Sequence, residues 1–193
     1  MKSICVYCGS NPGLDPEFAA ASRDVGARIA EAGLTIVYGG GRVGLMGEVA
    51  DGALEAGGKV LGVIPEFLAL KEIAHLGLTD LYVVQSMHAR KAKMAFLSDA
   101  FIALPGGIGT MEELFEIWTW GQLGQHRKPV GLLNINGYYD DLVAFLDKMA
   151  AQNFLAADHR ASLIVASDLD SLLAAFQAYE APPSDVRLKV GQI

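Results

Sequence analysis

Thr35-Ile36-Val37-Tyr38-Gly39-Gly40-Gly41-Arg42-Val43-Gly44-Leu45-Met46-Gly47 runs from a β-branched apolar strand through a glycine turn into a segment of helical period. The turn satisfies G-x-G-x-x-G, and its place between a strand and a helix marks a strand–helix unit of a parallel sheet. A second junction of the same kind follows Phe101-Ile102-Ala103-Leu104 and reads Pro105-Gly106-Gly107-Ile108-Gly109-Thr110-Met111-Glu112-Glu113.

Working outward from these junctions, residues 3–8, 34–38, 59–64, 81–84, 100–104, 129–134 and 163–165 read as strands. They are nearly continuous in Val, Ile and Leu, as strands buried on both faces must be. Amphipathic stretches lie between them. Phe18, Val25, Ile29 and Ala32 share one helical face, and Leu142, Phe145, Leu146 and Met149 share another. Asp15-Pro16 supplies an N-cap and a first-turn proline to the first helix. The alternation predicts an α/β fold, doubly wound and Rossmann-like, with a mainly parallel sheet, helices on both faces and right-handed connections. Residues 1–180 read as a single nucleotide-binding domain. Residues 181–193, opening Ala181-Pro182-Pro183, lose the periodic pattern and read as a tail that wanders or docks on a neighbour.

Composition narrows the function. The chain has 193 residues, 52% of them hydrophobic and 19% charged, which is ample for a packed core. Fifteen Lys and Arg against 22 Asp and Glu give a net charge of −7, a poor match for a phosphate backbone, so no nucleic-acid partner is expected. No apolar run reaches the roughly 18 to 20 residues of a membrane span, and the N-terminal apolar stretch is too short for a signal peptide. A cytoplasmic protein without a membrane partner is the expectation. Cys5 and Cys8 form a C-x-x-C, but residues three apart on a strand face opposite ways, so buried thiols are expected and not a redox pair.

Ligands of such a sheet bind outside the carboxyl ends of the strands. There the glycine loops bring backbone N–H groups and helix N-termini to bear, and phosphate is their natural guest. The acidic residue that a dinucleotide site wants at the end of the next strand comes late, as Glu66 behind Pro65. No Lys-Ser/Thr pair follows the second loop, so neither NAD binding nor ATP hydrolysis is indicated. His75, His88, His126 and His159 lack metal-ligand spacing, and no G-x-S-x-G elbow is present, so no metal, cofactor or serine nucleophile is expected. Trp118 and Trp120, with Phe115 and Ile117, suit either the core or a subunit contact.

Glu112 and Glu113 follow the second loop directly. Helix capping explains carboxylates there, but a phosphate competes for the same positive end, so a carboxylate facing the adjoining sugar is the second reading. Ser86-Met87-His88-Ala89-Arg90-Lys91-Ala92-Lys93-Met94 brings Arg90 and Lys91 to the same edge of the sheet, with Lys93 on a solvated face.

These residues resemble a known family. Pro105 to Glu113 fits the P-G-G-x-G-T-x-x-E motif of the LOG (LONELY GUY) cytokinin riboside 5′-monophosphate phosphoribohydrolases, and Met87-His88-Ala89-Arg90-Lys91 fits their companion M-H-x-R-K motif. Cys8-Gly9-Ser10 and Tyr38-Gly39-Gly40-Gly41 are similar too, and the likeness runs from about residue 3 to 154. Members were long labelled lysine decarboxylases. That chemistry normally needs a pyridoxal phosphate Schiff-base lysine, for which no arrangement is evident. The resemblance implies hydrolysis of the N-glycosidic bond of AMP or an N6-modified AMP, giving free base and ribose 5-phosphate. It implies Arg90 and Glu113 as catalytic residues, without deciding which transfers a proton. Gly106, Gly107, Ile108, Gly109, Thr110 and Met111 are implied to hold the 5′-phosphate, and Glu72, Lys91, Glu112 and Thr119 to make further substrate contacts. A homodimer with sites near its interface is also implied. The alternatives are a nucleotide-binding module without catalysis, for which Arg90 and Glu113 together are superfluous, and a structural dimerisation domain, which leaves the glycine loops unexplained.

Overall fold

In the computed structural model, which describes residues 1–69 and 74–182, the apolar runs fold as strands to within one residue at either end. They are β1 (Ser3–Tyr7), β2 (Thr35–Tyr38), β3 (Val60–Pro65), β4 (Asp80–Val84), β5 (Ala100–Ala103), β6 (Val130–Leu133) and β7 (Leu163–Ala166). The helices are α1 (Pro16–Glu31), α2 (Gly44–Glu55), α3 (Glu66–Ala69), α4 (Met87–Leu97), α5 (Ile108–Gln122), α6 (Asp140–Ala151), α7 (Ala157–Ser162) and α8 (Leu169–Gln177).

All seven strands join one parallel sheet in the order β4-β3-β2-β1-β5-β6-β7. The chain builds outward from β1 to β4, then returns to lay β5 on the other side of β1. That reversal is the topological switch point, where the connections on either side leave a crevice at the carboxyl ends of the strands. Every residue of β1, β5 and β6 is buried, as the apolar runs require. β4 is an edge strand and keeps exposed positions.

Two apolar layers cover the sheet. On one face Ile4, Val6 and Ile102 pack with Val25 and Ile29 of α1, Val49 and Ala53 of α2, and Leu172 and Phe176 of α8. On the other, Cys5, Tyr7 and Phe101 pack with Met94 of α4, Leu114 and Trp118 of α5, and Leu146 of α6. Cys5 and Cys8 lie buried in opposite layers as free thiols, as alternation along the strand requires. Trp118 donates its indole N–H to Ser162 Oγ at 3.0 Å, and Phe115 and Trp120 pack against the same layer, which makes this face of α5 core. Among the described residues, no helix is long and apolar enough to cross a membrane.

Local capping follows the sequence. Asp15 accepts from Glu17 N at 2.9 Å with Pro16 opening α1, and Ser86 accepts from Ala89 N at 3.1 Å at the start of α4. Two helical-face expectations fail. Ala32 is an exposed C-cap beyond the end of α1. Phe145 is 58% exposed, because the buried arc of α6 is centred on Leu146, about 100° further round the helix. Of the expected tail, Ala181 accepts from Arg127 Nη2 at 3.2 Å, while residues 183–193 lie outside the described residues.

α1 and α2 meet backbone to backbone through glycine. A Cβ on Gly26 would come within 2.1 Å of Val49 O, and one on Gly52 within 2.1 Å of Arg23 O. Alanine is the better helix former by about 1 kcal/mol, yet Gly52→Ala is expected to destabilise the fold by about 2 kcal/mol, because the helices must separate. Urea denaturation of the variant checks this, and equal or higher stability contradicts it.

Candidate active site

The switch-point crevice opens into a cavity of about 710 Å³, a volume typical of small-molecule sites. Its walls are the segments that follow β1, β2 and β5, with Ile64 from the end of β3, Met87 and Arg90 from α4, and Tyr138 from the turn after β6.

The two glycine loops turn out to differ. In the first, protein fills the space that the missing side chains leave. A Cβ on Gly39 would lie 1.8 Å from Arg90 Nη2, and one on Gly44 would meet the Ser10 backbone at 2.3 Å. Met46 N is also taken, by Gly9 O at 3.3 Å. In the second loop, a Cβ on Gly107 or Gly109 would meet nothing within 4 Å. Their lack of side chains serves no contact inside the described fold and leaves the α5 N-terminus open to the cavity. The two loops expected to be alike therefore differ in the space around their glycines, although Gly106 of the second is packed against Thr110.

Arg90 is the centre of the site. It is buried, and its Nε donates to Val63 O at 3.1 Å while Nη2 donates to Gly39 O at 3.2 Å. Its Nη1 lies 3.9 Å from Glu113 Oε1, a loose ion pair between side chains that are about 10% exposed. Glu113 sits past the first turn of α5, so neither it nor Glu112 caps the helix. Burial pushes the Glu113 carboxyl up to about 7, against the pull of Arg90 and Lys91; Glu112 and Glu116 add to the rise. A buried carboxyl poised near neutrality beside a fixed cation can gain or lose a proton under ordinary conditions.

The residues singled out from the sequence divide by place. Arg90, Gly106, Gly107, Ile108, Gly109, Thr110, Glu112 and Glu113 line the cavity. Lys91, Met111 and Thr119 do not. Met111 packs against the layer under α5. Lys91 is buried and bridges Glu112 and Glu116, the latter at 3.0 Å. Thr119 lies on an exposed position further along α5, and Glu72 lies outside the described residues. Lys93 stands 4.5 Å over the Tyr82 ring and is only half exposed. Sequence reasoning passed over Phe18 and Tyr138. Tyr138 belongs to Asn134-Ile135-Asn136-Gly137-Tyr138-Tyr139, a turn after a strand at the same carboxyl edge, which was the available signal.

Comparison with known proteins gives the family and the fold. The sequence model of a family described as "possible lysine decarboxylase" matches residues 46–176. The cytokinin riboside 5′-monophosphate phosphoribohydrolase of Rhodococcoides fascians is 49% identical over 178 residues, covering 92% of this chain and 90% of that protein. A cytokinin riboside 5′-monophosphate phosphoribohydrolase of Arabidopsis thaliana is 44% identical over 189 residues, covering 98% and 87%. The chain belongs to the LOG family. Solved structures place LOG-family architecture in wider company. The molybdenum cofactor carrier protein of Chlamydomonas reinhardtii superposes with a TM-score of 0.68 at 23% identity, covering 92% of this chain and 96% of that one. The molybdenum cofactor binding protein of Rippkaea orientalis gives 0.69 at 24%, covering 92% and 97%. At those identities the likeness is one of fold, and it bears out the doubly wound α/β architecture.

The raised Glu113 carboxyl carries a stability signature. Its proton affinity is higher folded than unfolded, so the folded state binds more protons between about pH 4.5 and 7 and stability falls as pH rises through that window. Glu113→Gln, which cannot ionise, is expected to match wild type near pH 4. By about pH 8 it should exceed wild type by up to about 3 kcal/mol. Chemical denaturation across that range measures the difference, and a constant offset contradicts the assignment.

Proposed function

We propose that this LOG-family chain hydrolyses the N-glycosidic bond of a nucleoside 5′-monophosphate, AMP or an N6-modified AMP, to free base and ribose 5-phosphate. The observation that carries the reading is the pairing of Glu113 with Arg90 beside a glycine loop in which Gly107 and Gly109 meet no neighbour among the described residues. Relatives that bear the name of this activity are 44–49% identical over nearly the whole chain.

The chemistry follows from the parts. The 5′-phosphate sits on the backbone from Gly106 to Thr110 and on the Thr110 hydroxyl, with the positive end of α5 beneath it; Met111 N–H is already given to Gly107 O at 3.1 Å. This fixes the ribose with its anomeric carbon toward Glu113. Cleavage passes through an oxocarbenium-like state that a carboxylate stabilises. The carbon–nitrogen bond to the base breaks and water adds to the anomeric carbon. One water proton goes to Glu113 and from it to the departing base nitrogen, so the hydroxyl stays on the anomeric carbon and the carboxylate is regenerated. Arg90 is a permanent cation whose guanidinium is tied to two backbone carbonyls. It therefore orients Glu113 and balances charge, and the proton transfer falls to Glu113.

Lys91 holds Glu112 and Glu116 in place beside Glu113, and Glu112 faces the cavity as a sugar contact. Thr119, on the exposed side of α5, and Glu72 complete the substrate contacts in a homodimer, where Thr119 serves the site of a second copy. We place the enzyme in the cytoplasm, with no bound cofactor.

Because the ionised carboxylate is the working form, base release is expected to rise with pH through about 7, the value to which burial pushes Glu113. Chromatography of free adenine from AMP, and of isopentenyladenine from its ribotide, measures the activity. Glu113→Gln should lose at least about 100-fold in rate while still binding AMP. Unchanged release in the variant sinks the role of Glu113. AMP binding without any release by wild type favours a nucleotide-binding module.

A further inference from the structure

The segment that joins β5 to α5 has three consecutive carbonyls, and each is held from outside the segment, two by the turn after β6 and one by the turn after β1. Leu104 O accepts from the buried Tyr139 hydroxyl at 2.5 Å, Pro105 O from Gly9 N at 3.0 Å, and Gly106 O from the Tyr138 hydroxyl at 2.6 Å. The first two bonds lie at the root of the loop. The third lies in the cavity wall itself, on a tyrosine that is 45% exposed.

The peptide between Gly106 and Gly107 is the most mobile kind a chain can contain. Neither neighbour has a side chain to oppose rotation of the peptide plane. In a trans peptide the carbonyl and the following N–H point in opposite directions, so the orientation of Gly106 O fixes that of Gly107 N–H. On one side the peptide is packed by Thr110, whose Oγ1 lies 2.1 Å from where a Gly106 Cβ would stand. On the other, the Tyr138 hydroxyl holds its oxygen.

Tyr138 is itself well anchored. Its ring meets Phe18 edge-on at 5.5 Å and Tyr139 at 4.9 Å between centroids. The turn that carries it is pinned by Asn134, which accepts from Tyr139 N at 2.6 Å and donates to Asp140 Oδ1 at 2.7 Å. Asn136 adopts a φ of 51° within that turn, which asparagine tolerates better than most residues.

We propose that Tyr138 is a positioning residue of the phosphate loop, whose hydroxyl holds the Gly106–Gly107 peptide so that a backbone donor and not a carbonyl meets the phosphate. The proposal rests on reading this loop as the phosphate site. Without the hydroxyl, the peptide is free to rotate and can present Gly106 O to the anion, which repels it.

Tyr138→Phe removes one oxygen and keeps the ring packing, so its thermal midpoint is expected within about 2 °C of wild type. The KM for AMP and the inhibition constant of ribose 5-phosphate should both rise about tenfold, the loss of roughly one hydrogen bond, with kcat within about twofold. Inhibition by adenine, which has no phosphate, should not change. On titration with ribose 5-phosphate, the Gly107 amide signal in nitrogen-15 NMR should shift strongly in wild type and weakly in the variant. Wild-type affinity for ribose 5-phosphate in Tyr138→Phe overturns the proposal. An equal loss for adenine and ribose 5-phosphate also overturns it, because damage to the site as a whole then explains the effect. Should Tyr138→Phe fold poorly, a wild-type Gly107 signal that stays still while ribose 5-phosphate binds has the same force. Failure of wild type to bind ribose 5-phosphate at all is a separate result, and it removes the phosphate reading of the loop.

Discussion

A guanidinium is tolerated inside a protein only where its N–H groups find acceptors and its charge finds a counterion. Arg90 meets both conditions at the carboxyl edge of the sheet. Gly39, just past β2, and Val63, towards the end of β3, offer carbonyls that accept from its Nη2 and Nε, and α5 brings Glu113 alongside. Gly39 has to lack a side chain, since a Cβ would occupy the position of Nη2. The first glycine loop is thus shaped around an arginine from another part of the chain. The pair that results is loose, and Glu113 stays buried enough to hold its proton into the neutral range.

The sheet order makes this meeting possible. Because the chain returns from β4 to lay β5 beside β1, the segment after β5 arrives next to those after β1 and β2. Helices on the two faces then start at a common edge, and the cavity forms between their first turns. The charges around it form two adjoining circuits. Arg90 pairs with Glu113 at the cavity wall, while Lys91, outside that wall, bridges Glu112 at the wall to Glu116, and both circuits bear on the Glu113 carboxyl. One turn of α4 and one turn of α5 hold both circuits, so neighbouring residues of the same charge serve different ends.

Much of this was legible in the sequence. Strands buried on both faces, such as β1, β5 and β6, leave continuous apolar runs that need no partner to be recognised, and the edge strand β4 still shows through its short Leu81–Val84 run. The edge of the sheet that carries the site followed from topology alone. What the sequence could not disclose was which empty volumes are already taken. Gly39 and Gly107 look alike as letters, yet one accommodates an arginine distant in sequence and the other accommodates nothing among the described residues. Facing on a helix has the same limit. Phe145 belongs to a plausible stripe until the neighbouring elements fix the centre of the buried arc at Leu146. Lys91 and Arg90 are adjacent in the sequence, and only the placement of α5 separates their partners.

The glycine seam between α1 and α2 bears on how the site could change its appetite. Two helices in backbone contact behave as one plate, and Gly44 fastens the front of that plate to the Ser10 backbone. The wall formed by residues 10–13 and 41–46 therefore shifts as a whole or not at all. Room for a bulkier base has to be found elsewhere in the wall, where Leu68 on the short helix α3 lines the cavity without such a seam behind it. Divergence in base preference among proteins built on this frame should accordingly be written around α3, with the plate retained as a fixed reference surface.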